Sequence, residues 1–117
     1  MNKPIEQKTL NALGLCAKAR KLITGTPMVC ESLRGAKKPF LVLCAADNSQ
    51  NTAKKLSDKC SFYGVPAIIL EATGASIADA VGKKGGQVAA VAVTDENLCR
   101  LILSSLEKDR SKESNTQ

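Results

Sequence analysis

Three short, unbroken apolar runs set the limits on what this chain can become: residues 40–46 (FLVLCAA), 65–70 (VPAIIL) and 88–93 (VAAVAV). Each has the length of a strand, and a strand without polar alternation suits a position covered on both faces. Pro66 stands near the start of its run, where a missing donor is tolerated. Around these runs the periodicity is helical. A first helix is predicted over 6–22, with Leu10, Leu13 and Ala17 on one stripe. Thr26 as N-cap and Pro27 in the first turn open a second helix that runs to Arg34 and stops at Gly35. Asp47-Asn48-Ser49 supplies turn and cap chemistry for a third helix over 50–62, with Ala53, Leu56 and Cys60 on its apolar side and Gly64 ending it. A shorter helix is predicted over 76–81. Residues 94–97 (TDEN) cap a last helix with Leu98, Leu101, Ile102 and Leu106 on one face. This order predicts an α/β chain: a three-layer α/β/α sandwich with a small, mostly parallel or mixed central sheet of about four strands, Leu22-Ile23-Thr24 providing a short extra one. Residues 1–108 form one domain in this reading. Residues 109–117 (DRSKESNTQ) hold no apolar side chain and are expected to be a disordered polar tail.

Among the 117 residues there is no histidine, which excludes Ser-His-Asp and Cys-His catalysis and every His-ligated metal or haem site. Cys16, Cys30, Cys44, Cys60 and Cys99 form no CxxC pair, which argues against a zinc knuckle, an iron–sulfur run or a thioredoxin-type couple. Their odd number, and the lack of a recognisable signal peptide, predict reduced thiols in a cytoplasmic protein. No apolar run approaches the ~20 residues needed to cross a bilayer, so no membrane partner is expected. Asp47 ends a strand where open α/β sheets often place their sites, yet no second carboxylate or nucleophile–base pair accompanies it. A non-enzymatic protein without metal or cofactor is the expectation.

The formal charge of +6 arises entirely in residues 1–38, where Lys3, Lys8, Lys18, Arg20, Lys21, Arg34, Lys37 and Lys38 oppose only Glu6 and Glu31. Such a one-sided block fits a polyanion partner, and it makes Arg34, Lys37 and Lys38 candidate contacts. A second concentration is Gly82-Lys83-Lys84-Gly85-Gly86. It is neither a Walker A loop nor a dinucleotide fingerprint. A basic loop approaching nucleic-acid phosphates and a plain tight turn both remain open. Phe40, Phe62 and Tyr63 are the whole aromatic supply, which disfavours single-strand binding by base stacking and favours a folded RNA.

The segments LGLCAKARKLITG, FLVLCAADNSQNTAKKLSDKCSFYGVP and VAAVAVTDENLCRLIL resemble the ribosomal protein L7Ae family of kink-turn RNA binders, and within it the bacterial YlxQ-type branch. The resemblance covers about residues 8–106. It implies an α/β/α sandwich and an RNA site at Gly25, the following turn of Thr26, Pro27 and Met28, and the loop of Lys83, Lys84, Gly85 and Gly86. It also exposes a departure: strong kink-turn binders place Asn-Glu where this chain has Pro27-Met28, and Lys where it has Glu31. The resemblance implies a monomeric, ribosome- or translation-associated protein bound to rRNA or another kink-turn RNA. The alternative is a protein-interaction module on the same fold with weak, non-specific RNA binding.

Overall fold

The computed structural model describes residues 6–114; residues 1–5 and 115–117, the outer ends of the expected domain and tail, lie outside the described residues. The elements run α1 (Gln7–Lys18), β1 (Leu22–Thr24), α2 (Thr26–Arg34), β2 (Leu41–Cys44), α3 (Gln50–Tyr63), β3 (Ala67–Ile69), α4 (Gly74–Ala80), β4 (Ala90–Val93) and α5 (Glu96–Ser114). The sheet order is β1-β4-β2-β3. Only β2 and β3 are parallel; β4 is antiparallel to both β1 and β2, so the sheet is mixed.

The two central strands, β2 and β4, come from the apolar runs that no proline interrupts, and all four residues of each are buried. Alternation along β2 divides the core. Leu41 and Leu43 pack with α1, α4 and α5 around Leu13, Ile77 and Ile102. Val42 and Cys44 point the other way, against Val29 and Leu33 of α2 and Leu56 of α3. This is the expected three-layer α/β/α sandwich.

Element ends follow local chemistry. Ser49 caps α3, its hydroxyl accepting from the Thr52 N–H at 3.2 Å, and Gly64 closes the helix in the left-handed region (φ 73°). Helix α1 ends at Lys18, four residues before the periodicity does. Arg20 adopts φ 61°, and the Lys21 N–H donates back to the Cys16 carbonyl at 2.9 Å, a Schellman-type reversal. Leu22 is thereby released from the helix to pair with Val93. Tertiary pairing overrides a continuous helical stripe here.

The expected disordered tail requires correction. Helix α5 continues to Ser114, because two of its polar side chains have buried work to do. The Asp109 carboxylate accepts from the Lys8 N–H at 3.3 Å, the Thr9 N–H at 2.9 Å and the Thr9 hydroxyl at 2.8 Å. It caps α1 from a distance of a hundred residues, where Glu6, the local N-cap residue, provides no side-chain cap.

All five cysteines are free and buried. Burial pushes the Cys44 thiol up to about 11, the neighbouring Cys60 adding to it. Burial does the same to Cys16, again to about 11, with the Asp95 carboxylate adding to it. Native protein at pH 8 should therefore react negligibly with a thiol reagent, and all five thiols should appear on unfolding; fast labelling of the native chain would contradict the packing. The neutral thiols favour the fold. Their contribution is complete below pH 9, the ordinary thiol value, and is lost as pH rises through about 11.

Candidate nucleic-acid interface

Strand direction sorts the polar residues to two ends of the sheet. One end gathers the C-termini of β1, β2 and β3 with the N-terminus of β4. There β1 runs into Gly25, whose N–H donates to the Ala90 carbonyl at 2.8 Å. Gly25 adopts φ 97°, ψ 143° as it turns into α2, a region that L side chains rarely enter. A Cβ there would meet nothing within 4 Å. The backbone angle, and not crowding, is what requires glycine.

Gly25 provides no side chain to cap α2, and Pro27 occupies the first turn. The Val29 N–H makes the first helical bond, to the Gly25 carbonyl at 2.9 Å. The N–H groups of Thr26 and Met28 precede it and point outward with the positive end of the helix dipole. Met28 is 59% exposed.

The glycine loop enters the sheet beside this helix. Gly82 (φ 87°) closes α4, with the Lys83 N–H donating to the Ala78 carbonyl at 2.8 Å. Lys83 to Gly86 then form a tight turn in which the Gly86 N–H donates to the Lys83 carbonyl at 3.0 Å and Gly85 has φ 84°. That positive φ at the third position is the type II pattern. The loop is thus a tight turn, and it holds Lys83 and Lys84 in solvent with no ion pair among the described residues.

Asn48 is the residue that sequence reasoning undervalued. Its amide Nδ2 donates to the Ala89 carbonyl at 3.1 Å, tying the start of α3 to the chain entering β4. Asp47 accepts from the Gly74 N–H at 2.9 Å, holding the start of α4. Asn48 thus fixes the chain that leaves the glycine loop, and Asp47 fixes the start of the helix that leads into it. Next to Asn48 lies a cleft of about 140 Å³, between Ala45 and Ala46, Ala53 and Ser57 of α3, and Ala67 and Ile69 of β3. No local signal marks the Asn48 bond, since its partner is forty-one residues away.

Gly25, Thr26, Pro27, Met28 and the Lys83–Gly86 turn are therefore drawn to one end of the sheet. Arg34, Lys37 and Lys38 are not. They lie at and just beyond the C-terminus of α2, at the end where β2 begins and β4 finishes, Leu41 being paired with Val93. Arg34 is ion-paired to Glu31, and Lys38 donates to the Gly35 carbonyl at 3.0 Å. Lys18, Arg20 and Lys21, which lead into β1, are carried to that same far end. The charge-rich first third mostly feeds the end opposite the glycine loop.

Residues 7–102 match the model of the ribosomal protein L7Ae/L30e/S12e/Gadd45 family. The chain is similar to the RNA-binding protein YlxQ of Bacillus subtilis, 40% identical over 95 residues that cover 81% of this chain and 91% of the relative. It is also similar to the RNA-binding protein YlxQ of Enterococcus faecium, 41% identical over 83 residues, 71% of this chain and 79% of the relative. Among solved structures, a protein of unknown function from Bacillus halodurans superposes with a TM-score of 0.76 at 30% identity, over 86% of this chain and 97% of that one. The 15.5 kD RNA-binding protein of Giardia lamblia gives a TM-score of 0.72 over 95% of this chain and 92% of that one, its 17% identity speaking for the fold alone.

Proposed function

The chain belongs to the ribosomal protein L7Ae/L30e/S12e/Gadd45 family, and from that premise we propose that it is a cytoplasmic, non-enzymatic RNA-binding protein whose loop end holds a structured, kink-turn-like RNA in a ribosome- or translation-linked setting. The observation that carries the reading is the convergence of Gly25 and the Lys83–Gly86 turn on the first residues of β4. Each part has a physical task. The uncapped start of α2 offers N–H donors and a positive dipole end to phosphate. Lys83 and Lys84 neutralise backbone charge, and Gly85 and Gly86 let the RNA approach the main chain. The cleft beside Asn48, lined mainly by small apolar side chains, suits a flat unstacked base.

Phosphate contacts position an RNA, whereas base contacts specify it. Replacing Lys83 and Lys84 together by Ala should weaken binding to a kink-turn RNA and flatten the log–log salt dependence by up to about one unit per lost contact. Both lysines are exposed, so the variant should melt like the parent. An unchanged affinity and salt slope would remove the loop from the site.

Exposed Met28 beside Pro27 favours the second reading, a protein-interaction surface at the same place, because a thioether is an adaptable apolar contact and a poor base reader. A gel-shift titration against a kink-turn and a scrambled duplex at two salt concentrations separates the two. Equal, weak and steeply salt-dependent binding to both selects the protein surface.

A further inference from the structure

The chain has three aromatic residues, two Phe and one Tyr with no Trp, and the fold brings all three to the end of the sheet away from the glycine loop. Phe62 and Tyr63 close α3, and Phe40 immediately precedes β2, its N–H donating to the Val93 carbonyl at 2.8 Å. Phe62 is 80% exposed and Phe40 44%. The Phe62 and Tyr63 rings meet edge to face with centroids 4.9 Å apart. The Lys38 ammonium lies 5.0 Å from the Tyr63 ring centroid, and the same ammonium donates to the Gly35 carbonyl. Lys37 adjoins it, and Lys59 precedes Phe62 by one helical turn on α3. Neither has an ion-pair partner among the described residues. The carboxylates on these helices, Glu31 and Asp58, are paired with Arg34 and Lys54.

A single exposed Phe on a surface needs no special account. Here an exposed ring meets a second ring that carries an ammonium, and the three cations Lys37, Lys38 and Lys59 come from the loop after α2 and from α3. We propose that this end of the sheet is a second RNA-contacting surface, which takes a single-stranded segment by stacking a base on Phe62 while Lys37, Lys38 and Lys59 follow its phosphates. The chemistry selects a single strand. A duplex keeps its base faces stacked and offers a ring nothing but its edge and backbone, whereas an unpaired base presents a free face to Phe62. Lys38, fixed between the Gly35 carbonyl and Tyr63, is already placed and loses little freedom on contact. Such stacking tolerates any sequence, because every base has a π face. The three like charges around the rings repel a basic or neutral apolar partner's approach less than they attract a polyanion, which favours the nucleic acid.

The inference stands on residues separate from the loop end and is tested separately. The probe is a fluorescein-labelled twelve-nucleotide oligoadenylate, titrated into the full chain. Phe62→Ala should weaken its binding about tenfold and leave a kink-turn RNA without single-stranded tails unaffected. Lys37→Ala with Lys38→Ala should flatten the salt slope for the oligonucleotide. Phe62→Trp should keep the binding and introduce the chain's sole indole, whose emission is quenched as the oligonucleotide stacks. Unchanged oligonucleotide affinity in Phe62→Ala, or an indole indifferent to saturating oligonucleotide, overturns the proposal. So does a Phe62→Ala effect confined to self-association in sedimentation. Failure of the Lys83 and Lys84 variant on the kink-turn probe overturns the loop reading alone.

Discussion

Substituting Pro27 by Asn, Met28 by Glu and Glu31 by Lys in one chain is expected to tighten binding to a kink-turn RNA by about two to three orders of magnitude, with a much smaller gain, from charge alone, for a scrambled duplex. The three side chains are those that the family's strong kink-turn binders place here, where the Asn and Glu hydrogen-bond the sheared G·A pairs of the kink. A good base contact contributes about 1–3 kcal/mol of discrimination, so two of them account for most of the gain. The scaffold should accept the change. Met28 is exposed and gives up little packing, and a Glu in the first turn of α2 is favoured by the helix dipole. Pro27 contributes rigidity but no hydrogen bond, and Asn is compatible with a first-turn position.

Glu31 contributes the remainder through charge. It now neutralises Arg34, so Glu31→Lys shifts the local charge by two units and frees the guanidinium. Isothermal titration with the kink-turn and the duplex, at one fixed salt concentration, measures the gain and its specificity. A triple variant that tightens on both RNAs equally would mean that charge alone had acted and that the start of α2 does not face the kink.

The layers of this fold were readable because each depends on local pattern. Unbroken apolar runs marked β2 and β4 as central, and Ser49 and Gly64 bounded α3 within one residue of expectation. Sheet polarity was less readable: the reversal that lets Leu22 pair with Val93 depends on Arg20 entering the left-handed region, for which a non-glycine residue gives no signal. The site was legible in the same uneven way. Gly25 and the glycine loop stood out by type and spacing, and the fold does bring them together. Arg34, Lys37 and Lys38 were joined to them by proximity along the chain, but α2 carries them some nine residues, or about 13 Å at 1.5 Å per residue, to the other end. Net charge by segment locates an excess in sequence; only strand direction locates it in space.

The same limit hid the interaction with the largest expected effect on stability. Glu6 is 6% exposed, and its carboxylate accepts from the Glu71 N–H at 2.8 Å and the Ala72 N–H at 3.2 Å. Arg110, from the segment that looked like a solvated tail, donates to it at 3.2 Å and to the Ile69 carbonyl at 3.1 Å. Glu6→Ala would strand two backbone donors and a guanidinium that had shared one buried acceptor. Breaking a buried pair costs ~3–5 kcal/mol, but the Arg110 side chain is 44% exposed and water can serve it, so about 3 kcal/mol is the expected loss. For a chain of this length that lowers Tm by roughly 10 °C. Arg110→Ala should cost much less, about 1 kcal/mol, because Glu6 keeps both backbone donors. Asp109→Ala should fall between the two, since it uncaps α1 and leaves the buried Thr9 hydroxyl without its acceptor. Calorimetric melts of the three variants give the ranking. Equal, small shifts would show that α5 beyond Lys108 only rests on the domain, whereas the expected order makes that polar segment the clasp joining α1, β3 and α5.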